Sequence, residues 1–306
     1  MVAYSIKDLE NLTGIKAHTI RVWEKRYGII EPRRNDSNVR YYLEDDVKNI
    51  MNIALLNRNG YKISKIAQLN SASIHSIAAQ LTDVDRTFEN QLDGLTLSML
   101  ELNEDHFLKI FNANICQNGF KKTMLEVIYP LLDKLGMMWM TGSVKPIHEN
   151  FVFQLIKRKC IVELDKLEVQ TSAPKKFLMF LPEGENNELS FLFLHYIIKH
   201  RGHKVVDLGT NVNIDDIFNG GLLCQPDYIL TLIDKTMNTG TYSGYIEVLT
   251  ANTGESKLLL SGLQVLKHKY KNAPKIQTFQ TSEELDTLLR SWEDEKTLQS
   301  YGEKNR

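Results

Sequence analysis

The chain has 306 residues, of which 42% are hydrophobic and 25% are charged, and its formal net charge is −1. This length favours two or three domains, and this composition is typical of globular proteins with a buried core. No apolar run reaches the roughly 20 residues that span a bilayer, and the N-terminus lacks a signal-peptide pattern, so we expect a cytoplasmic protein without membrane contact. The three cysteines are too few and too dispersed for a disulfide framework or a cysteine-based metal site, which predicts buried thiols and no metal.

Charge is unevenly distributed along the chain. Lys and Arg outnumber Asp and Glu over residues 1–70, whereas acidic residues are in excess over the remainder. A basic N-terminal module on an acidic body is typical of a nucleic-acid reader whose bulk is repelled by the phosphates.

The N-terminal segment predicts two short helices joined by a tight turn. Ser5 can cap the first helix, Gly14 can end it, and the second helix runs over residues 17–27. This arrangement predicts a helix-turn-helix, in which the second helix enters the major groove of DNA. That helix offers hydrogen-bond donors for phosphates or base edges at His18, Thr19, Arg21, Lys25 and Arg26. Trp23 fits two interpretations equally, a contact with the sugar-phosphate backbone or a place in the domain core.

A β-hairpin wing is predicted after the second helix. Arg33 and Arg34 follow Pro32, residues 35–38 are rich in turn formers, and residues 39–42 return as a short strand. Carboxylates at residues 44–46 then begin another helix, where they match the helix dipole.

These motifs together resemble the DNA-binding domain of the MerR family. The resemblance rests on YSIKDLENLTGIKAHTIRVWEKRYGIIEPRRNDSNVRYYLEDDVKNI, which has the family's helix-turn-helix ending, the wing closing in Arg-Tyr-Tyr, and the acidic helix start. It implies a winged helix-turn-helix domain over residues 1–72 that binds a palindromic double-stranded operator as a dimer. The DNA-binding residues that we predict on these grounds are His18, Thr19, Arg21, Trp23, Arg26, Arg33, Arg34, Arg40 and Tyr41.

Residues 73–85 are rich in Ser and Ala and only weakly periodic, so we interpret them as a linker with some helix. Residues 86–170 then show helical spacing in four segments, near residues 88–100, 105–114, 120–135 and 148–167, with the third interrupted by Pro130. Four helices with short connections predict a four-helix bundle.

The bundle resembles the helical half of the cobalamin-binding light sensors within the MerR family. Those proteins have a Trp, nine residues, and then Glu-His over the upper face of the cofactor. Here Trp139 and Glu149 keep that spacing, but Asn150 stands at the His position. The alternative is that Trp139 is a core aromatic and Glu149 a carboxylate at a helix N-terminus.

From residue 175 to residue 295 short apolar runs alternate with amphipathic segments. Five strands alternating with five helices predict a doubly wound parallel sheet, whose ligands bind at the carboxyl ends of the strands. Residues 296–306 are interpreted as a C-terminal tail. The predicted fold class is therefore multidomain, α and α/β, with a winged helix-turn-helix, a four-helix bundle and a five-stranded sheet.

The sheet segment resembles the Rossmann-like cobalamin-binding domain but departs from its motifs. The family's Asp/Glu-x-His-x-x-Gly aligns with Glu185, Asn187 and Ser190, so the cobalt-ligating His is replaced by Asn. An Asn amide is a poor cobalt ligand beside an imidazole nitrogen. The family's Ser-x-Leu begins here with Thr231, and its Gly-Gly is Ser261-Gly262. We therefore expect that standard His-ligated cobalamin binding has been lost, with adenosylcobalamin or methylcobalamin bound in an unusual way as the alternative.

The sequence predicts a DNA-binding transcription regulator, a repressor, whose C-terminal body forms a dimer or tetramer and answers to a protein or small-molecule effector. The runner-up is an adenosylcobalamin-dependent light-sensing repressor with unusual ligation. A cobalamin-dependent enzyme or methyl carrier is a third interpretation, which the basic N-terminal module disfavours. The chain lacks the common phosphate-binding, hydrolase and metalloprotease motifs, so no catalytic residue is assigned.

Overall fold

The computed structural model describes residues 3–34, 38–84, 88–140, 142–168, 175–234, 239–267 and 274–303. The chain divides into two compact units, Met1–Leu155 and Ile156–Arg306. Among the described residues, none of the helices is both long and apolar enough to cross a membrane.

The first unit begins with the predicted winged module. Its helices are α1 (Ile6–Thr13), α2 (Ala17–Tyr27), α3 (Glu44–Arg58) and α4 (Ile63–Ile66), and its strands are β1 (Arg33–Arg34) and β2 (Arg40–Tyr41). The two strands are antiparallel, with Arg33 opposite Tyr41. Residues 35–37, most of the predicted wing turn, lie outside the described residues. The core is formed by side chains from all three longer helices, including Leu9, Leu12, Ile20, Ile50 and Ile53.

The segment interpreted as a linker is a regular helix, α5 (Ser71–Val84). It packs against α3 and α6, and Ile74 and Ala78 are buried on it. Small side chains let α5 approach its neighbours closely, which explains why its apolar periodicity is weak in the sequence. The winged module is therefore joined to the bundle through a packed helix.

The helices that follow are α6 (Phe88–Leu100), α7 (Glu104–Asn118), α8 (Phe120–Thr123), a π-helical turn (Met124–Ile128), α9 (Tyr129–Met140) and α10 (Pro146–Asp165). The expected break at Pro130 is absent. The backbone N–H of Tyr129 donates to the carbonyl of Met124, five positions earlier. This wider turn gives the proline ring room beside the preceding carbonyls, so the helix continues.

The second unit contains the predicted five-stranded parallel sheet, which is confirmed. Its strands are β3 (Lys176–Phe180), β4 (Lys204–Asp207), β5 (Tyr228–Leu232), β6 (Lys257–Ser261) and β7 (Ile276–Thr278). Its helices are α11 (Glu188–His200), α12 (Ile214–Cys224), α13 (Thr239–Asn252), α14 (Leu263–Lys267) and α15 (Ser282–Glu303). The order β4-β3-β5-β6-β7 places the topological switch point between β3 and β5, where ligands bind in such sheets.

Two smaller expectations need correction. Cys160 is buried, but Cys116 is exposed and Cys224 is partly exposed, because both of these lie near the ends of surface helices. Much of the segment interpreted as a C-terminal tail is helical, since α15 extends to Glu303, and residues 304–306 lie outside the described ones.

Candidate nucleic-acid interface and switch-point site

Local side-chain caps fix the start of α1 and the turn between α1 and α2. Asp8 accepts from the backbone N–H of Ser5 at 2.7 Å, and its own N–H donates to Ser5 Oγ at 3.2 Å. Gly14 then ends α1 with φ of 72°, a conformation that a glycine adopts without strain. The N–H of Ala17 donates to Glu10 Oε2 at 3.1 Å, so a carboxylate of α1 caps the start of α2. The angle at which α2 is presented is thus set by hydrogen bonds inside the motif.

The outer face of α2 carries its cations. His18, Arg21, Lys25 and Arg26 are exposed. Thr19 is half-buried, and its Oγ1 lies 3.3 Å from His18 Nε2. Donors at this spacing on one helix suit contacts with phosphate oxygens and base edges in a major groove.

Trp23 belongs to the opposite face of α2. Its side chain is 7% exposed and lies one turn from Ile20, which is fully buried. The structure thus selects the core interpretation and removes Trp23 from the candidate contact surface, because residues three apart on a helix share a face.

Glu24, a residue without a predicted role, holds the wing to α2. Its carboxylate is 7% exposed, accepts a short hydrogen bond from the Tyr42 hydroxyl, and lies 3.6 Å from Arg40 Nε. Burial, followed by the hydrogen bond and the charge of Glu24, raises the pKa of Tyr42. Arg40, a predicted DNA contact, therefore also has a structural partner. Glu24 is part of the quoted N-terminal stretch, but both of its partners lie in or beside the wing, and no local spacing in the sequence indicates them.

The other predicted wing residues remain near the surface. Arg33 and Arg34 are exposed, and Tyr41 is half-buried. Arg33 pairs with Asp46 of α3 at 2.7 Å, and Arg34 donates to Asn38 Oδ1 at 2.8 Å. These partners orient the guanidinium groups before any DNA is bound, so fewer rotamers need to be frozen on binding.

In the bundle, the residues predicted to face a ligand are accessible. Trp139 is 47% exposed, which does not fit the alternative of a core aromatic. Glu149 is half-buried and Asn150 is exposed. Met137 and Met140, at 58% and 81% exposed, flank Trp139. The end of α9 therefore presents an apolar patch.

The loop from α9 to α10 contacts the winged module. Ser143 Oγ donates to Asp8 Oδ1 at 2.7 Å, and Lys145 Nζ donates to Glu44 Oε2 at 3.1 Å. His148 is 2% exposed, and its Nδ1 accepts from the N–H of Lys145 at 3.2 Å. The segment that follows Trp139 is thus bonded to the first turns of α1 and α3.

Burial of His148, in the first turn of α10, makes the stability of the first unit depend on pH. Desolvation lowers its pKa below 6.5, with Lys145 and Lys48 acting in the same direction and Glu44 opposing. As the pH drops through 6.5, His148 becomes protonated in the unfolded chain but stays neutral in the folded chain. Protonation therefore favours the unfolded chain, and the free energy of unfolding decreases.

We expect His148→Asn to reduce that loss, because the Asn amide oxygen can accept the Lys145 hydrogen bond without titrating. The measurement is the free energy of unfolding in urea at several pH values for both proteins. An identical pH slope in the two would contradict the assignment, and His18→Asn, at an exposed position, is the matched control.

At the switch point of the sheet, two side chains and one backbone N–H from three segments meet. Asn187 precedes α11, and its Nδ2 donates to Asp234 Oδ2 at 2.5 Å. Asp234 follows β5, and its other oxygen accepts from the N–H of Leu263 at 2.7 Å. The predicted pocket residues Asn187, Ser261 and Gly262 therefore lie at one edge with Asp234.

The other predicted pocket residues of the second unit differ in burial. Ser190 is half-buried and Glu185 is 6% exposed. Thr231 is fully buried on β5, and its hydroxyl has no hydrogen-bond partner among the described residues. The Tyr245 hydroxyl on α13 is likewise buried without one there. Burial raises the pKa of Tyr245, and so do the nearby carboxylates of Glu183 and Glu185.

These residues do not fit a His-ligated corrinoid. The side-chain nitrogen at the ligand position is a donor already engaged by Asp234, and an amide nitrogen does not ligate metal. His195, further along α11, is bonded instead to Asp207 at 3.1 Å. Within the described ranges no cluster of three or more His, Cys, Asp or Glu side chains could hold a metal ion. The buried hydroxyls of Thr231 and Tyr245 remain available to hydrogen-bond another ligand at this edge of the sheet.

Gly262 is required at this edge for two separate reasons. Its φ is +110°, and a Cβ there would lie 2.5 Å from the carbonyl oxygen of Ile233. Gly262→Ala should therefore destabilise the second unit by about 2–4 kcal/mol, combining backbone strain with a steric clash. The control is Gly254→Ala, where φ is +58° and no heavy atom lies within 4 Å, so only strain of about 1 kcal/mol is expected. Equal losses in urea denaturation would show that the clash is relieved by movement of the loop.

Comparison with known proteins gives a family match at the N-terminus and relatives that align with most of the chain. Residues 4–72 match the model of the MerR HTH family regulatory proteins. This segment is a MerR-type helix-turn-helix domain. The Myxococcus xanthus HTH-type transcriptional repressor CarH is 24% identical over 232 residues, covering 74% of this chain and 77% of CarH. The repressor CarA of the same organism is 21% identical over 266 residues, covering 86% and 88%.

The similarity to CarA and CarH thus extends well beyond the MerR-type domain. The HTH-type transcriptional regulator MlrA of Escherichia coli is 28% identical over 136 residues, or 44% of this chain and 53% of MlrA. Among solved structures, the monomethylamine corrinoid protein of Methanosarcina barkeri has a TM-score of 0.51 at 12% identity, covering 66% of this chain and 98% of that one. That likeness shows a shared fold. CarH, CarA and MlrA are all named as transcriptional repressors or regulators.

Proposed function

We propose that this chain is a sequence-specific DNA-binding transcription regulator that acts as a repressor in the cytoplasm. The observation that carries the proposal is the MerR-type domain, in which exposed Arg21, Lys25 and Arg26 lie on α2 and Glu24 ties that helix to the wing. Two homologues that align with most of the chain are named repressors, which supports the sign of regulation.

The partners that we propose are a palindromic operator and further copies of the chain. A two-fold symmetric dimer places two recognition helices one helical turn apart on DNA, which matches a palindrome. We propose the domain limits 1–72, 86–170 and 175–295, with α5 as a packed connector between the first two. We assign no catalytic role, because the Asp234 carboxylate at the switch point is bonded to backbone and amide groups of the same edge.

Operator binding can be tested on DNA selected by the protein from a random-sequence pool. Affinity should fall steeply with salt, because each neutralised phosphate contributes about 0.9 to the slope of log K against log salt. A dimer using three cations of α2 per protomer should give a slope of about −5. Binding without sequence preference, or a slope near zero, would contradict the proposal.

For the second unit, we propose that cobalamin is not held by a histidine of this chain. The contact between Asn187 and Asp234 supports this, because it occupies the ligand position with an internal hydrogen bond. The fold and the buried Thr231 hydroxyl favour the second candidate, a repressor that binds adenosylcobalamin in an unusual way.

Visible spectroscopy separates these two candidates. The protein is mixed with adenosylcobalamin or methylcobalamin in the dark, then separated on a sizing column before and after illumination. We expect no stoichiometric coloured complex, and Asn187→His is the variant that should bind more cobalamin than the wild type. A stoichiometric, light-sensitive complex of the wild-type protein would establish the second candidate instead.

A further inference from the structure

A cavity of about 400 Å³ lies in the first unit, and none of its lining residues belongs to the two sites described above. Its walls come from α5, from the C-terminal turn of α6 and from the first turns of α7. This volume is at the lower end of the range for small-molecule sites, and such sites often lie between helices of a bundle.

The interior of the cavity combines an apolar floor with one sheltered carboxylate. Ala78 and Leu97 form the floor and are 0% and 4% exposed. The side chain of Glu101 is 18% exposed, and its shortest described ion-pair contact is a long one, 3.7 Å from Oε1 to His75 Nδ1. Burial raises the pKa of Glu101, while His75 and Lys48 lower it. Removing a carboxylate from water without a close counter-charge is costly, so a cation brought to it would be bound favourably.

His106, another residue of the lining, is held by hydrogen bonds. His106 Nδ1 lies 2.9 Å from Ser98 Oγ, and the N–H of His106 donates to Asn103 Oδ1 at 3.0 Å. Ser98 Oγ also donates to the carbonyl of Gly94 at 2.7 Å, so the imidazole is the donor in the first of these bonds. A wall fixed by such bonds loses little conformational entropy when a ligand enters.

We propose that this cavity is an effector site for a small organic ammonium compound with an apolar body. The ammonium group would donate to Glu101, and the apolar body would lie against Ala78 and Leu97. The lining also includes Asp105 and Lys109, whose side chains are exposed, so Glu101 is the more sheltered of its two carboxylates.

The cavity is connected to the winged module through α3. Helix α5 packs against α3, and Lys48 of α3 is near enough to Glu101 to lower the pKa of its carboxyl. Lys48 also pairs with Glu44, which in turn holds Lys145, at 3.4 and 3.1 Å. A cation at Glu101 would change the charge balance along this series of pairs. This regulatory consequence rests on the proposed function, whereas ligand binding itself does not.

The probe for the test is 2-phenylethylammonium chloride, with the uncharged 2-phenylethanol as its partner. Calorimetry and thermal unfolding of the full chain without DNA should show saturable binding of the ammonium compound and much weaker binding of the alcohol. Glu101→Gln should weaken the ammonium complex about tenfold or more, because a charge-assisted hydrogen bond is lost. Glu89→Gln, at an exposed carboxylate of the same helical segment, should leave it unchanged.

Two further measurements test whether the ammonium compound binds in this cavity. Addition of the ammonium compound to the wild-type protein should shift the imidazole NMR signals of His75 and His106, and Ala79→Leu should block binding by filling the space. No saturable binding to the wild type, or equal affinity for Glu101→Gln, would overturn the proposal. If the ammonium compound binds but the affinity for operator DNA does not change, the cavity is a binding site without a regulatory role. If the protein fails to bind operator DNA even without the ammonium compound, that result contradicts the proposed function and not the cavity.

Discussion

Arg21→Ala should lower affinity for the selected operator by on the order of 100-fold. A guanidinium that contacts a base edge contributes about tenfold or more in each half-site, and a two-fold symmetric complex loses two of them. Arg21 is exposed on α2, so its substitution should have little effect on the stability of the domain. Gel retardation across a protein titration gives the affinity, and thermal unfolding checks that the variant is folded.

The charge-matched control for this experiment is Lys122→Ala. Lys122 lies in α8 and pairs only with Glu126 at 3.7 Å among the described ion pairs, with both side chains more than half exposed. Its loss changes the net charge as Arg21→Ala does but should leave operator affinity within about twofold. Equal effects of the two substitutions would mean that general charge, and not α2, determines binding.

The sequence predicted the second unit well because its signals are local. The three central strands, β3, β5 and β6, are short and largely apolar runs, as expected where both faces of a parallel sheet are covered. The helix-turn-helix was predicted for a similar reason, since the capping pair Ser5 and Asp8 is local in the sequence.

The contacts missed by sequence reasoning join residues far apart in the chain. Glu24 meets Arg40 and Tyr42 only because the wing folds back on α2. Ser143 reaches Asp8 from the far end of the first unit. Helix α5 was underestimated because Ser and Ala give a weak period, although Ala78 is fully buried. Propensity and periodicity do not contain such tertiary pairings, which decide where the polar side chains of both sites point.

The largest stability effect is expected at the junction of α3 with the bundle. Arg58, in the last turn of α3, pairs closely with Asp93 of α6, and Lys134 of α9 lies 3.4 Å from the other oxygen of Asp93. Asp93 and Lys134 are only 13% and 15% exposed. Next to them, Asn59 and Asn90 exchange two side-chain hydrogen bonds, each of 3.0 Å. This set fixes the winged module on the bundle.

Asp93→Asn should destabilise the first unit by about 3–5 kcal/mol, because the sheltered Lys134 and the partly exposed Arg58 lose their shared counter-charge while the shape is kept. Removing one of those cations as well, in Asp93→Asn with Lys134→Met, should restore much of the loss, since a methionine fills the same space without charge. The exposed pair provides the control, and Glu126→Gln should cost less than about 1 kcal/mol. Urea unfolding measures all three proteins. If Asp93→Asn lowers the free energy of unfolding no more than Glu126→Gln does, the junction is stabilised by apolar packing of α3 on α5 and α6. The ion pairs of Arg58 and Lys134 with Asp93 would then orient the helices without stabilising them.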